Sequence, residues 1–115
     1  MRPIKTVDKP WGDEIWAAHT DKYALKIIRI KRGYRSSLQY HNVKAEHIYV
    51  DDGVLDVEEM VDGNLVTNRY SKGDVIVNPP GKLHRTNAIT DVRLIEVSTP
   101  ELDDVVRVED DFGRA

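Results

Sequence analysis

Two histidines, a glutamate and a glutamine stand in two short segments of this 115-residue chain, and together they could bind a metal ion. Gln39 and His41 are two residues apart, so on an extended segment both side chains face the same side. Glu46 follows after a stretch in which the chain can bend, and His84 comes after a Pro-Pro-Gly turn. Two imidazoles, a carboxylate and an amide oxygen would form a mixed nitrogen and oxygen site for Zn²⁺, with Fe, Mn, Co or Ni as alternatives.

Each of these residues also has a structural interpretation. Glu46 lies among apolar residues, where a carboxylate without a cation would be costly to bury, and this supports a metal. Gln39 could be a hydrogen-bonding neighbour of the site instead of a ligand. His47 follows Glu46 directly, so strand alternation turns it to the other face. We interpret His47 and the isolated His19 as residues outside the site.

The segments around the candidate ligands have the pattern of short β-strands. Apolar and alternating stretches predict strands at 23–31, 46–50, 53–61, 65–70, 74–77 and 92–99. Asp62-Gly63-Asn64 predicts a hairpin turn between two of them. Helix is expected only in a turn near the N-terminus and at about 101–110, where Asp103 and Asp104 suit a first helical turn. Many short strands with regularly spaced turns predict one all-β sandwich or small barrel.

Composition is that of a soluble single-domain protein. A length of 115 residues allows one core and no second catalytic module. The net charge of −3 argues against a basic surface for nucleic acid. The absence of cysteine excludes a disulfide framework, a cysteine-based zinc finger and a thiol nucleophile, and it fits a reducing compartment. Residues 1–5 lack the apolar stretch of a signal peptide, so we expect a cytoplasmic protein without a membrane partner.

The spacing of the candidate ligands resembles the two motifs of the cupin superfamily. The first motif is Gly, five residues, His-x-His, three or four residues, Glu, six residues and Gly, and here it is matched by Gly33, Gln39, His41, Glu46 and Gly53. The second is Gly, five residues, Pro-x-Gly, two residues and His, matched by Gly73, Pro79, Gly81 and His84. Two motifs that match independently are more specific than one short motif. The resemblance implies a cupin, or double-stranded β-helix (jelly-roll), barrel, to which we add the short C-terminal helical segment.

Nearly the whole chain resembles, more narrowly, the C-terminal cupin domain of type II mannose-6-phosphate isomerases. In that family the domain follows a sugar nucleotidyltransferase in bifunctional mannose-1-phosphate guanylyltransferase/phosphomannose isomerases. The matching segments are Lys9-Pro10-Trp11-Gly12, 37–47 (SLQYHNVKAEH), 79–85, 94–97 and 103–114. Gln39 in place of the first histidine is itself a mark of this family. Three departures are Lys44 for Arg, Phe112 for Tyr and a shorter loop after His84.

The resemblance implies a metal-dependent isomerase that interconverts mannose 6-phosphate and fructose 6-phosphate. The metal would stabilise an enediol(ate) while a proton moves between C1 and C2. A dianionic phosphate requires Arg or Lys partners. The candidates for phosphate binding and catalysis are Lys44, Arg85 and Arg107, followed by Arg35 and Arg114. The sequence does not identify the proton-transfer base, for which Lys44 is the first candidate, followed by Glu101, Asp103 and Asp104.

Two other classes of function stay open. Two histidines and one carboxylate also resemble the iron oxygenase triad, which would require Fe(II) and consume O₂. A non-catalytic cupin that binds a sugar or a metal is the third class. Metal-free epimerases fit less well because both metal motifs are populated. Small cupins commonly pair sheet against sheet, so a two-fold homodimer is expected, with the segment through Trp11 and Trp16 as a candidate contact.

Overall fold

A computed structural model describes residues 4–115. Residues 1–3, which belong to the segment 1–5 considered above for a signal peptide, lie outside the described residues. Within the described range all regular structure is β. The strands are β1 (Lys5–Lys9), β2 (Gly12–His19), β3 (Ala24–Ile30), β4 (Leu38–Tyr40), β5 (Glu46–Asp52), β6 (Val54–Val61), β7 (Asn64–Ser71), β8 (Val75–Asn78), β9 (His84–Ala88), β10 (Val92–Ser98) and β11 (Val106–Glu109). No helix capable of crossing a membrane occurs in residues 4–115.

The strands form two antiparallel sheets. One has six strands in the order β1-β2-β3-β10-β5-β8, and the other has five in the order β11-β4-β9-β6-β7. Residues of both sheets line one interior cavity. This arrangement is the all-β double-stranded β-helix barrel that the cupin resemblance implies, and the prediction of the fold is confirmed.

Alternation along the strands of the six-stranded sheet fixes which residues enter the barrel. Every second residue of β3 and β10 is buried, and so are Glu46, Ile48 and Val50 of β5. At one end these are apolar, and Leu94 stands between Ile28 and Val50 in the register. Two residues further along, Glu96 stands beside Lys26, and both are buried. The barrel interior is therefore apolar at one end and polar at the other.

The apolar end is the hydrophobic core. Its fully buried side chains include Val50, Leu55, Val57, Ile76 and Leu94, which come from both sheets. Burial of such side chains contributes on the order of 1.5–3 kcal/mol each. Apolar packing is confined to this end of the barrel. The buried polar groups at the other end therefore have polar neighbours, without which their burial would be costly.

The six strands predicted from the sequence are confirmed, with ends that differ by one or two residues. The hairpin between β6 and β7 turns at Asp62 and Gly63, whose φ angles of 50° and 81° are both positive. That pair of angles is typical of a two-residue type I′ turn. Alternation did not reveal the short strands β4, β9 and β11 or the N-terminal hairpin.

The predicted C-terminal helix at 101–110 is wrong. Turns occupy the start of the segment, and β11 then pairs with β4 through Val106 opposite Tyr40 and Arg107 opposite Gln39. β-branched residues favour a strand where an edge is available for pairing. Asp104 does not begin a helix, and its carboxylate accepts backbone N–H groups from the loop after β4.

The N-terminal hairpin is seated tightly on β3. Lys9 and Gly12 pair across a two-residue turn of Pro10 and Trp11. A Cβ atom at Gly12 would collide with the carbonyl oxygen of Arg29 on β3, so only glycine permits this approach. Trp11 is 5% exposed and packs in the chain's own core, and is therefore not available to a partner.

We predict that Gly12→Ala lowers the free energy of unfolding by about 1–3 kcal/mol through overpacking. The loss should exceed that of the control Gly73→Ala, which replaces another glycine that has a positive φ angle. Gly73 has a φ of 96°, and a Cβ atom added there would meet no other atom within 4 Å, so its substitution carries only the backbone cost. Urea unfolding measures both. Equal losses in the two variants would contradict the tight seating of the hairpin.

Candidate metal centre

Three of the predicted ligands converge at the polar end of the barrel. His41, Glu46 and His84 offer ligand atoms that all lie within 4.8 Å of one another, and all three side chains are buried. Glu46 Oε1 is 3.6 Å from His41 Nε2 and 3.4 Å from His84 Nε2. The two histidines and the carboxylate therefore surround one small volume.

Both sheets contribute to this cluster. His84 begins β9 and is the register partner of Gln39 on β4, while Glu46 begins β5 in the opposite sheet. His41 directly follows β4, and its carbonyl oxygen accepts the N–H of Gly81 at 2.7 Å. The Pro79-Pro80-Gly81 turn that precedes His84 is thus tied to the loop that carries His41.

Hydrogen bonds on Nδ1 orient both imidazoles. Nδ1 of His41 donates to the carbonyl oxygen of Asp104 at 2.6 Å, and Nδ1 of His84 donates to that of Lys82 at 2.9 Å. Because a carbonyl oxygen only accepts, each Nδ1 carries the hydrogen and each Nε2 of the neutral ring presents a lone pair. This outer bond to a carbonyl is the usual support of a metal-bound histidine.

Acceptor atoms of the three side chains face one another in the cluster. Nε2 of His41 is buried and has no hydrogen-bond partner, although it faces the Glu46 carboxylate. Burial by itself would lower the pKa of His41, yet the Glu46 carboxylate outweighs it and the pKa is raised. Burial would likewise raise the pKa of Glu46, but His41, His84 and Lys44 hold it well below its usual range. These residues fit a divalent cation with nitrogen and oxygen ligands.

Gln39 lines the same cavity as the three ligands. Its Oε1 accepts a hydrogen bond from Ser37 Oγ at 2.6 Å. An amide oxygen has two lone pairs, so one is left for a further partner. The structure thus places Gln39 beside the centre with one acceptor position held by Ser37.

Asp104 fixes the loop between β4 and β5. Its carboxylate accepts the backbone N–H groups of Asn42, Val43 and Lys44 at 3.1, 2.7 and 2.9 Å. Its carbonyl oxygen holds the His41 ring as described above. Asp104, expected as a minor candidate for the proton-transfer base, is therefore a positioning residue whose carboxylate is engaged by backbone.

Lys44 lies beside the centre and is the cation of a buried charge network with Glu46 and Glu96. Its Nζ is 2.9 Å from Glu46 Oε2 and 3.1 Å from Glu96 Oε2, and all three side chains are at most 5% exposed. Burial lowers the pKa of Lys44, but the charges of Glu96 and Glu46 outweigh it and the pKa is raised. Lys44 therefore stays an ammonium compensated by two carboxylates, which disfavours both its expected role as base and its expected role as phosphate partner.

Glu96 lines the cavity but was not among the candidate residues predicted from the sequence. Burial, followed by the negative charge of Glu46, raises the pKa of Glu96 to about 7. The signal was present in β10, where Val92, Leu94 and Ser98 share the buried face and a glutamate stands among them. Lys26 interrupts the buried face of β3 in the same way.

The arginines expected at the phosphate divide into two groups. Arg107 and Arg114 line the cavity. Arg85 does not, and its expected role at the phosphate stays a prediction that the cavity lining does not favour. His84 and Thr86 of β9 face the cavity, so alternation turns Arg85 to the other face of the sheet. It is buried there, and its Nε donates to Ser36 O at 3.1 Å and its Nη2 to Glu109 O at 3.3 Å.

Three further residues of the expected set lie elsewhere. Arg35 forms a two-pronged pair with Asp111, with donor–acceptor distances of 2.6 and 2.7 Å, outside the cavity. Glu101 and Asp103 do not line the cavity either. His19 and His47 are exposed and stand apart from the metal cluster.

Comparison with known sequences identifies relatives in sugar-nucleotide and polysaccharide biosynthesis. The family described as "Mannose-6-phosphate isomerase C-terminal" matches residues 2–110. Mannose-1-phosphate guanylyltransferase of Escherichia coli is 36% identical over 120 residues, covering 98% of this chain and 24% of that protein. Xanthan biosynthesis protein XanB of Xanthomonas campestris is 32% identical over 115 residues, with coverages of 96% and 24%. The chain spans about a quarter of the length of these relatives.

Comparison with solved structures identifies the fold. Oxalate decarboxylase of Bacillus subtilis, a protein described with Mn(II) centres, superposes with a TM-score of 0.76 at 19% sequence identity. The match covers 94% of this chain and 30% of the decarboxylase. At that identity the likeness establishes the cupin barrel and nothing of the reaction.

We predict that the chain binds one divalent ion, and that His41→Ala and His84→Ala abolish the binding because each removes a buried nitrogen ligand. His19→Ala and His47→Ala are matched controls on the exposed histidines. Calorimetric titration with Zn²⁺ or Co²⁺, together with the metal-induced rise in unfolding temperature, measures the effect. Retained binding in the site variants, or its loss in the controls, would contradict the assignment of the centre.

Proposed function

This chain belongs to the mannose-6-phosphate isomerase C-terminal family, and from this premise we propose that it is a metal-dependent sugar-phosphate isomerase. The reaction we propose is the interconversion of mannose 6-phosphate and fructose 6-phosphate. The observation that carries the proposal is the buried His41–Glu46–His84 cluster, which opens into a cavity lined by further acids and cations of both sheets.

In this proposal the ion is held by Gln39, His41, Glu46 and His84. Zn²⁺ suits two imidazoles and two oxygen donors, and Co, Mn, Ni or Fe are alternatives. A bound divalent ion acts as a Lewis acid that polarises the carbonyl and neighbouring hydroxyl oxygens of the sugar. Ser37 supports the proposal by fixing the Gln39 amide oxygen through its hydroxyl.

We assign the transfer of the proton between C2 and C1 to Glu96. The carboxylate takes the C2 proton of the aldose to give an enediol(ate), and the resulting carboxylic acid returns a proton to C1. A second proton passes from the O2 hydroxyl to O1, so that C2 becomes the carbonyl carbon of the ketose and O1 its hydroxyl. A pKa of about 7 suits a group that must both accept and release a proton near neutral pH. Lys44, 3.1 Å from Glu96, stabilises the carboxylate form.

The homodimer expected from the sequence stays a prediction. Trp11 cannot contribute to it because it is buried in the core. Exposed apolar residues on the outer face of the neighbouring strands β10, β5 and β8 offer a surface for a second copy, and these residues are Tyr49, Val75, Val77 and Val97.

We predict that the chain, loaded with Zn²⁺, Co²⁺, Mn²⁺ or Ni²⁺, converts mannose 6-phosphate to fructose 6-phosphate, and that Glu96→Gln lowers kcat about 100-fold or more. The amide keeps the size of the side chain but cannot accept the proton. Glu58→Gln on the neighbouring sheet is the control, because Glu58 does not line the cavity. NMR of the sugar phosphates measures the rates, and metal content is checked in each variant.

The outcomes separate the three classes of function. An unchanged kcat in Glu96→Gln would eliminate Glu96 as the base while leaving the isomerase in place. Binding of the sugar phosphate without conversion by any metal form would identify a binding protein. Oxygen uptake by the Fe(II) form would identify an oxygenase and overturn the isomerase.

A further inference from the structure

The cations of the cavity differ in whether their charge is compensated. Among residues 4–115 five line it, namely Lys9, Lys26, Lys44, Arg107 and Arg114. Three of them are paired with carboxylates. Lys44 has Glu46 and Glu96, Lys26 is 3.1 Å from Glu14, and Arg114 binds Asp110 through two nitrogens.

Lys9 and Arg107 have no such partner. Among residues 4–115, no carboxylate oxygen lies within 4.0 Å of either side-chain cation. Nε of Arg107 is in addition buried without any hydrogen-bond partner. A buried guanidinium donor that finds no acceptor in the protein is costly unless a ligand supplies one. The cavity thus holds two uncompensated positive charges.

Arg107 lies in register with the metal centre. It stands opposite Gln39 across β11 and β4, and Gln39 stands opposite His84 across β4 and β9. Directly opposed residues of an antiparallel sheet share a face, so these three side chains form one row on the inner face. Two strand spacings separate Arg107 from His84, or roughly 10 Å between their backbones. This separation would allow one sugar phosphate to reach both sites, with its sugar at the metal centre and its phosphate group at Arg107.

Lys9 approaches from the other sheet. It is the last residue of β1, and the hairpin that holds it is anchored by the close approach of Gly12 and by the burial of Trp11. Burial lowers the pKa of Lys9; among the nearby charges Glu14 raises it, while Lys26, Arg107 and Arg114 lower it further. Three other cations of the cavity are thus close enough to Lys9 to act on its charge.

We propose that Lys9 and Arg107 form a subsite for a phosphate dianion, with one cation from each sheet. The Arg107 guanidinium offers a planar fork for two phosphate oxygens, and the Lys9 ammonium adds a compact charge. Two uncompensated positive charges match the charge of the dianion. The inference rests on the proposed function for the identity of the whole substrate, and it assigns the phosphate end of that substrate.

The test is titration of the metal-free chain with inorganic phosphate, so that phosphate cannot bind to a metal ion. We expect Lys9→Gln and Arg107→Gln each to weaken phosphate binding at least tenfold. The exposed residues Lys72 and Arg32 provide the matched controls Lys72→Gln and Arg32→Gln, which should stay within twofold of the parent. Unfolding temperature shows that each variant is folded.

A second titration, with the metal-loaded chain, compares mannose 6-phosphate with mannose. The two variants should lose affinity for the phosphorylated sugar by the same factor and leave mannose binding unchanged. Phosphate binding that survives both substitutions, or that requires the metal ion, would overturn the subsite. Isomerase activity with an unchanged KM in both variants would overturn the subsite alone. Loss of phosphate binding in the variants of an inactive parent would support the subsite and overturn the proposed isomerase.

Discussion

The carboxylate of Glu46 is the group on which the organisation of this barrel depends. It is buried between two imidazole nitrogens that present lone pairs and an ammonium group that it shares with Glu96. A buried charge of this kind is stable only when compensated on every side. Lys44 provides one part of the compensation from within the chain. On its other side the carboxylate faces the Nε2 lone pairs of His41 and His84, and a cation bound there would complete the compensation.

Much of the surrounding structure serves to hold these groups in place. Asp104 closes the loop that carries His41, and the Pro79–Gly81 turn contacts the same loop before His84. The apolar end of the barrel supplies the rigid base, so the polar residues are held by packing below them. The N-terminal hairpin closes one wall, with Trp11 in the core and Lys9 at the cavity. Segments far apart in sequence thus meet at one end of the barrel.

Strand alternation and turn residues predicted a small all-β barrel, and the resemblance to the cupin motifs predicted its topology and the metal cluster. Alternation identifies the long strands, and the motif spacing selected His41, Glu46 and His84 out of all titratable residues. The prediction failed at 101–110, where Asp103 and Asp104 suit a helix start but Val106 and Arg107 pair with the open edge of β4. The sequence of this segment does not show that an unpaired edge of β4 lies beside it, and that edge decides between helix and strand.

The cavity beyond the metal cluster was harder to predict, for two different reasons. The position of Arg85 outside the cavity could have been predicted, because Arg85 directly follows the inward His84 on one strand. Lys9 and Arg107 could not have been paired, because they come together only through the pairing of β11 with β4 and the seating of the first hairpin. Uncompensated charge is a property of the assembled cavity and leaves no trace in local sequence.

The most direct test of this account is the anomalous diffraction of a crystal of the chain loaded with Co²⁺. We expect one strong cobalt peak between His41 Nε2, His84 Nε2 and the Glu46 carboxylate, with the Gln39 oxygen completing the protein ligands. A peak at the exposed His19 or His47, or no bound cobalt in the barrel, would contradict it.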